Sequence, residues 1–222
     1  MQGVSCYTLG MADALSRPSV AARVLWLTVY FAVLLWSGIG PKDRFTWVLE
    51  VFPAWAGLAV LVLTWRRFPL TPLAYWLILL HSVILMVGGH YTYAEVPLFE
   101  RLGEWFGWQR NNYDKLGHFA QGFVPAILAR EVLVRLQVVR RGGWLAFVVL
   151  CFALALSAAY ELLEWAVAAL TGTAAEAFLG TQGYVWDTQS DMLLALVGAA
   201  VALLLLSGWH DRQLRAMAVD KP

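Results

Sequence analysis

The stretch DKLGHFAQGFVPAILAREVLVR, Asp114 to Arg135, opens like a polar site and continues like a membrane span. Ionisable groups at membrane depth are rare, because hydrocarbon solvates charge poorly, and they turn towards a protein interior or a wet cavity. Two further stretches share this character. YELLEW, Tyr160 to Trp165, puts two glutamates near the end of an apolar run, and WDTQSDMLLALVG, Trp186 to Gly198, opens another with two aspartates. If all three are helices of one bundle, their polar ends must meet somewhere.

The rest of the 222 residues fits that frame. The chain is 60% hydrophobic and 14% charged, against roughly 25% charged in a soluble domain, and its mean hydropathy is +0.63. An all-α polytopic bundle of about six transmembrane helices is therefore predicted, since lipid-embedded backbone must bond within its own segment. The spans run over Ser19–Gly38, Thr46–Thr64, Thr71–Tyr93, Asp114–Arg135, Trp144–Leu170 and Asp187–Ser207. They form one membrane domain over residues 19–207, with loops near 94–113 and 171–186, a short segment 1–18 before it and a tail 208–222 after it. A net charge of +1 with no block of like charge gives no ground for nucleic-acid binding. The bilayer is the expected partner.

Lysine and arginine placement predicts the orientation. With six spans, the larger share, including Arg66, Arg67, Arg140, Arg141, Arg212 and Arg215, falls on the side of the two termini, which makes both termini cytoplasmic. The same count sends Asp114, His118, Glu161, Glu164, Asp187 and Asp191 to the outer half of the bundle. His81, Arg130 and Glu131 fall elsewhere. Cys6 and Cys151 are too differently placed to pair, and Cys151 reads as a small buried apolar residue.

Helical spacing sharpens the site. Asp114 and His118 are four residues apart, Glu161 and Glu164 three, and Asp187 and Asp191 four, so each pair shares a helix face. Carboxylates with an imidazole suit a divalent metal ion, with His118, Glu161, Glu164, Asp187 and Asp191 as ligands. Without metal the carboxylates would share protons, and all six residues are catalytic candidates as acid–base groups. Gln121, Gln182, Trp186 and Gln189 are expected to bind the substrate, the last three carried over the pocket mouth by the glycine-rich FLGTQGYVWDTQ loop. Helix capping by Asp114 and Asp187, or salt bridges to Lys115 or a loop arginine, would be the purely structural alternative. RLGEWFGWQRNN, Arg101 to Asn112, is expected to lie on the surface as a short amphipathic helix. Gly117, Gly122, Ala195, Gly198 and Ala199 should let helices approach closely.

NNYDKLGHFAQGFVPAILAREVL, SAAYELLEW and FLGTQGYVWDTQSDMLLALVGA resemble the YjdF family of bacterial inner-membrane proteins. A looser resemblance connects them to the VanZ-like superfamily, through the Asp114, Lys115, His118 start of one helix, Glu161 in the next, and Asp187 or Asp191 with Gly198 in the last. That likeness implies a role at the cell envelope involving a lipid or lipid-linked precursor. It implies no reaction. Transport coupled to ions or protons, and a non-catalytic scaffold, are the competing expectations.

Overall fold

The computed structural model describes residues 18–172 and 181–219. The described chain is helical: α1 (Val20–Gly38), α2 (Arg44–Thr64), α3 (Pro72–His90), α4 (Pro97–Phe106), α5 (Tyr113–Arg135), α6 (Gly143–Thr171) and α7 (Asp187–Val219). Local sequence sets several boundaries. Ser19, Asp43 and Thr71 each precede an apolar run, and their side chains accept hydrogen bonds from the amides of Ala22, Thr46 and Ala74. These are amides that a helix start otherwise leaves unpaired. Pro72 and Pro97 occupy first turns, where a missing N–H costs nothing. Gly107 ends α4 at a φ of 67°, a conformation that suits glycine.

Five of these helices, α1, α2, α3, α6 and α7, are long and apolar enough to cross a membrane. Their outward surfaces are bare hydrocarbon: Leu63 is 79% and Leu204 82% exposed. So much exposed apolar surface fits a lipid surround and no aqueous one. The sixth expected span, α5, is too polar to join that group. It runs beside α3 along its length, because Tyr113 donates its hydroxyl to the Ile84 carbonyl at one end while Thr71 binds Glu131 at the other. Its buried polar residues include Asp114, His118, Arg130 and Glu131, and α3, α6 and α7 pack around it.

Cross-links fix the helix directions. Trp26 donates to the Tyr75 carbonyl and His90 to the Ser37 carbonyl, so α1 and α3 are parallel. Tyr160, late in α6, donates to Glu50, early in α2. The α5–α7 pair is parallel and packs backbone to backbone. A Cβ on Gly122 would lie 1.7 Å from the Ala195 carbonyl oxygen, and one on Gly198 would lie 2.1 Å from that of Phe119. Ala195 and Ala199 are fully buried, so the small-residue seam is where the sequence puts it. Gly117 serves a different contact, since its face carries the Tyr93 ring.

Two expectations change. Cys151 is exposed on the lipid-facing side of α6, because its neighbours Val149 and Ala153 take the inward face. The last helix continues past Ser207 to Val219, since buried His210, Gln213 and Leu214 anchor that extension. Residues 1–17, 173–180 and 220–222 fall outside the described residues, and with them Cys6, most of the first segment and part of the glycine-rich loop. The short surface helix is present as α4, with Leu98, Trp105 and Phe106 exposed.

Candidate functional site

At the end of the bundle where α5 and α7 begin, the three polar stretches meet. Asp114 and His118 lie one turn apart on α5, with His118 Nε2 3.3 Å from Asp114 Oδ1. On the other side of the ring, His118 Nδ1 lies 3.7 Å from Glu161 Oε1 of α6. Asp191 of α7 completes a compact group: Asp114, His118 and Asp191 each offer one ligand atom, all within 4.8 Å of one another. All three are buried. The α5–α7 glycine seam makes this possible, because it brings helix backbones close enough for short aspartates to reach the imidazole.

Basic residues close the group towards the helix ends. Arg110 donates to Asp187 Oδ1 at 2.5 Å and lies 3.5 Å from Asp114 Oδ2. Lys115 donates to Ser190 Oγ at 2.9 Å. Both cations lie over the Tyr184 ring, 5.6 and 5.0 Å from its centroid, a favourable placement against an aromatic face. Asp187 is thus held by Arg110 and stands apart from the Asp114–His118–Asp191 group. Arg110 is the loop arginine that the structural alternative calls for, four residues before Asp114, but its pairing with Asp187 has no signal in the sequence.

Around the polar end of the neighbouring cavity the balance is acidic. Glu164 and Glu50 are buried, and Glu50 Oε2 accepts a hydrogen bond from Tyr160 at 3.3 Å. Several buried atoms here have no hydrogen-bond partner: Asp114 Oδ2, His118 Nδ1, Ser157 Oγ and Glu161 Oε1. Asp114 Oδ2 faces Arg110 at 3.5 Å, and His118 Nδ1 and Glu161 Oε1 face each other at 3.7 Å, so these are ion-pair contacts looser than hydrogen bonds, which a ligand or water could close. A cavity of about 610 Å³ opens beside them, lined at this end by Glu50, Tyr93, His118, Gln121 and Glu164. Gln121 therefore faces the cavity as its spacing implied. Gln182 instead uses its amide on the backbone of Asn111, accepting from its N–H and donating to its carbonyl, each at 2.9 Å. Trp186 and Gln189 are exposed and do not line the cavity.

The opposite end of α5 and α7 holds a second polar cluster of another kind. Glu131 is fully buried and accepts from the Thr71 amide and hydroxyl, from Arg135 and from His210. Arg130 donates to His210 Nδ1 at 3.0 Å and to Asp211 at 2.8 Å. Arginine has no acceptor, so His210 must accept at Nδ1 and give its Nε2 proton to Glu131. Gln213 caps the Leu73 amide at 2.9 Å. This network is closed upon itself and ties α3, α5 and α7 together. It lay hidden in the sequence because His210, Asp211 and Gln213 follow the point at which the apolar run stops.

An all-helical bundle with apolar outer faces and buried ion pairs defines a polytopic integral membrane protein embedded in the lipid bilayer. Residues 22–212 match the family described as predicted membrane protein (DUF2238), and the chain belongs to that family. It is 55% identical over 183 residues, 82% of this chain and 88% of the relative, to "Inner membrane protein YjdF" of Escherichia coli (strain K12). The YjdF resemblance is thereby borne out, and the apolar helices fit a multi-pass inner-membrane protein. No solved structure matches the chain.

Proposed function

We propose that this protein sits in the bacterial inner membrane with both termini cytoplasmic, and that its outward-facing acidic pocket binds the polar head of a lipid or lipid-linked envelope precursor, using a divalent cation. The observation that carries the reading is the convergence of Asp114, His118 and Asp191, buried and with ligand atoms within 4.8 Å, the contacts of the first two to Arg110 and Glu161 being loose ion pairs at 3.5 and 3.7 Å. Two carboxylates and one imidazole form a mixed oxygen and nitrogen donor set of the kind that holds Mg²⁺, Mn²⁺ or Zn²⁺. Glu161, facing His118, is placed to orient the imidazole as an outer-shell partner. Arg110 and Lys115 would offset acidic charge at the mouth, and Gln121 and Glu164 would meet a head group from the cavity walls.

An ion- or proton-coupled transporter would need polar groups along a route to the other face. The cavity's far half is instead lined by Val60, Leu128, Val132 and Leu136, and the second polar cluster is internally satisfied. Elemental mass spectrometry of the detergent-purified protein tests the metal, with Asp191→Asn and His118→Gln alongside. Near-stoichiometric metal in the parent, lost in both well-folded variants, is the expected result. A parent that neither retains metal without chelators nor takes it up from added Mg²⁺, Mn²⁺ or Zn²⁺ would leave the cluster as a packing network and favour a scaffold.

A further inference from the structure

We infer that the groove between α2, α3, α5 and α6 holds the single long hydrocarbon chain of the amphiphile whose head occupies the acidic pocket; this rests on the head-group reading above. The cavity of about 610 Å³ does not end at the polar cluster. It continues along α2 from Glu50 to Thr64 and along α5 from Asp114 to Leu136. At 1.5 Å per residue, the Glu50–Thr64 interval alone spans about 21 Å. One leaflet contributes only about half of a hydrocarbon core near 30 Å thick. The groove therefore suits a chain that crosses the midplane, longer than a tail confined to one leaflet.

Its polarity is sorted end to end. Carboxylates, His118, Gln121 and tyrosine hydroxyls cluster at one end, His81 marks the transition, and aliphatic residues such as Val60, Leu85, Leu128 and Val132 line the remainder. A pure hydrocarbon would leave the polar end unsatisfied, and a wholly polar solute would not fill the apolar half, so the occupant is amphiphilic. The polar end presents Glu50, Asp114 and Glu164 against one imidazole, which favours a head rich in hydrogen-bond donors. The walls are built to stay apart. Pro53 of α2 and Pro125 of α5 both line the groove, and each removes the N–H that would bond the carbonyl four residues earlier. Between them Gly57 leaves open space: a Cβ added there meets nothing within 4 Å. Tyr160 and Glu50 bridge α6 to α2 at the polar end, so the side opening lies below that bridge, towards the lipid tails.

Geranylgeranylamine carrying a diazirine at its tail end is the probe, with a geranylamine diazirine as the short-chain control. Irradiation of the purified full chain, followed by peptide mapping, should place the long probe at Thr64, Val132 or Leu136 and the short one nearer Gly57. Gly57→Phe should cut long-probe labelling roughly tenfold or more, as expected for overpacking a filled site. Leu63→Phe, on the lipid-facing side of the same helix, should leave it unchanged, and both variants should keep the parent's melting temperature. Label spread over Leu63 and Leu204, or labelling undiminished in a folded Gly57→Phe variant, would overturn the groove assignment. Metal content separates the two readings. Metal bound with no groove label sinks only the chain site, whereas groove label without metal keeps the chain site and removes the cation.

Discussion

Gly198→Ala should damage the fold and the candidate metal group together, because the glycine sits on the seam that positions both. The added Cβ would lie 2.1 Å from the Phe119 carbonyl oxygen and 3.0 Å from the Phe123 amide nitrogen, where ordinary contact begins near 3.4 Å. Both obstacles are backbone, so no rotamer change can relieve them, and the helices must separate by on the order of 1 Å in a close-packed seam. Overpacking of this kind costs about 1–3 kcal/mol, and the rigid neighbours here argue for the upper part of that range. For a chain of this size each kcal/mol lowers the melting temperature by roughly 2–4 °C, giving a loss of roughly 5–10 °C. Phe119 follows His118 directly, and Gly198 lies two helical turns from Asp191 on the same face of α7. The separation therefore pulls Asp191 away from Asp114 and His118. Metal sites tolerate errors of about 0.2 Å in ligand position, so affinity should fall at least roughly tenfold. Intrinsic fluorescence from the 12 tryptophans reports unfolding in detergent, and elemental analysis reports metal. Gly57→Ala is the control, where the methyl meets open space and the better helix former should be neutral or stabilising by about 0.5–1 kcal/mol. A Gly198→Ala protein that melts with the parent and keeps its metal would refute the coupling of seam and site.

Arg110→Met should destabilise by about 3–5 kcal/mol, because it strands Asp187 and Asp114 as largely buried charges; the double variant with Asp187→Asn should recover part of that in thermal melts. Glu131→Leu should cost a similar amount, since Thr71, Arg135 and His210 all lose their acceptor. At a detergent temperature where the variant stays folded its metal content should match the parent's, and loss of metal there would show that the two polar clusters are not independent. Asp43→Ala should lose about 1 kcal/mol at neutral pH through the cap on the Thr46 amide. Those bonds hold the Asp43 carboxyl below its ordinary value of 3.8, so its contribution is present above about pH 4 and disappears as pH falls through the depressed value. A parent–variant difference in melting temperature that persists undiminished below pH 3 would contradict that account.

Much of this architecture is legible in the linear sequence for a simple reason. Apolar run length and polar punctuation report directly on helices in lipid, where backbone has no alternative partner. The i to i+4 spacing of Asp114 and His118, and of Asp187 and Asp191, placed each pair on a face, and the requirement that such faces avoid lipid brought them together. Spacing fails where contact depends on which helix stands beside which. Asp187 and Asp191 are equivalent by periodicity, yet Arg110 takes the first and leaves the second beside His118. That choice depends on a loop residue 77 positions away in sequence. Gln182 reads as a mouth residue until its amide is seen to match the Asn111 backbone on both sides. His210 and Gln213 lie beyond the apolar run, where window-based hydropathy marks a tail although the helix continues.

The two ends of the α5–α7 pair make the strongest case for where function resides. The same two helices carry acid, base and histidine at both ends, so composition alone does not distinguish them. At the Arg130 end Glu131 has four donors, His210 is bonded at both ring nitrogens and Arg130 reaches two partners. At the Asp114 end the Asp114–Arg110 and His118–Glu161 contacts are stretched to 3.5 and 3.7 Å and Ser157 Oγ has no hydrogen bond, beside a cavity lined by Asp114 and His118. A network built only to fix helix register has no reason to leave buried polar contacts this loose, since the Arg130 end closes them to hydrogen-bond length with the same residue types. The looser bonding is better explained if a ligand completes it. Asp191→Leu puts this to the test, because removing one of the crowded buried carboxylates beside Asp114 should stabilise a purely structural cluster by relieving like-charge repulsion. In a ligand site the gain in melting temperature should come only with loss of bound metal, and a stabilised variant that still binds metal as the parent does would remove Asp191 from the site.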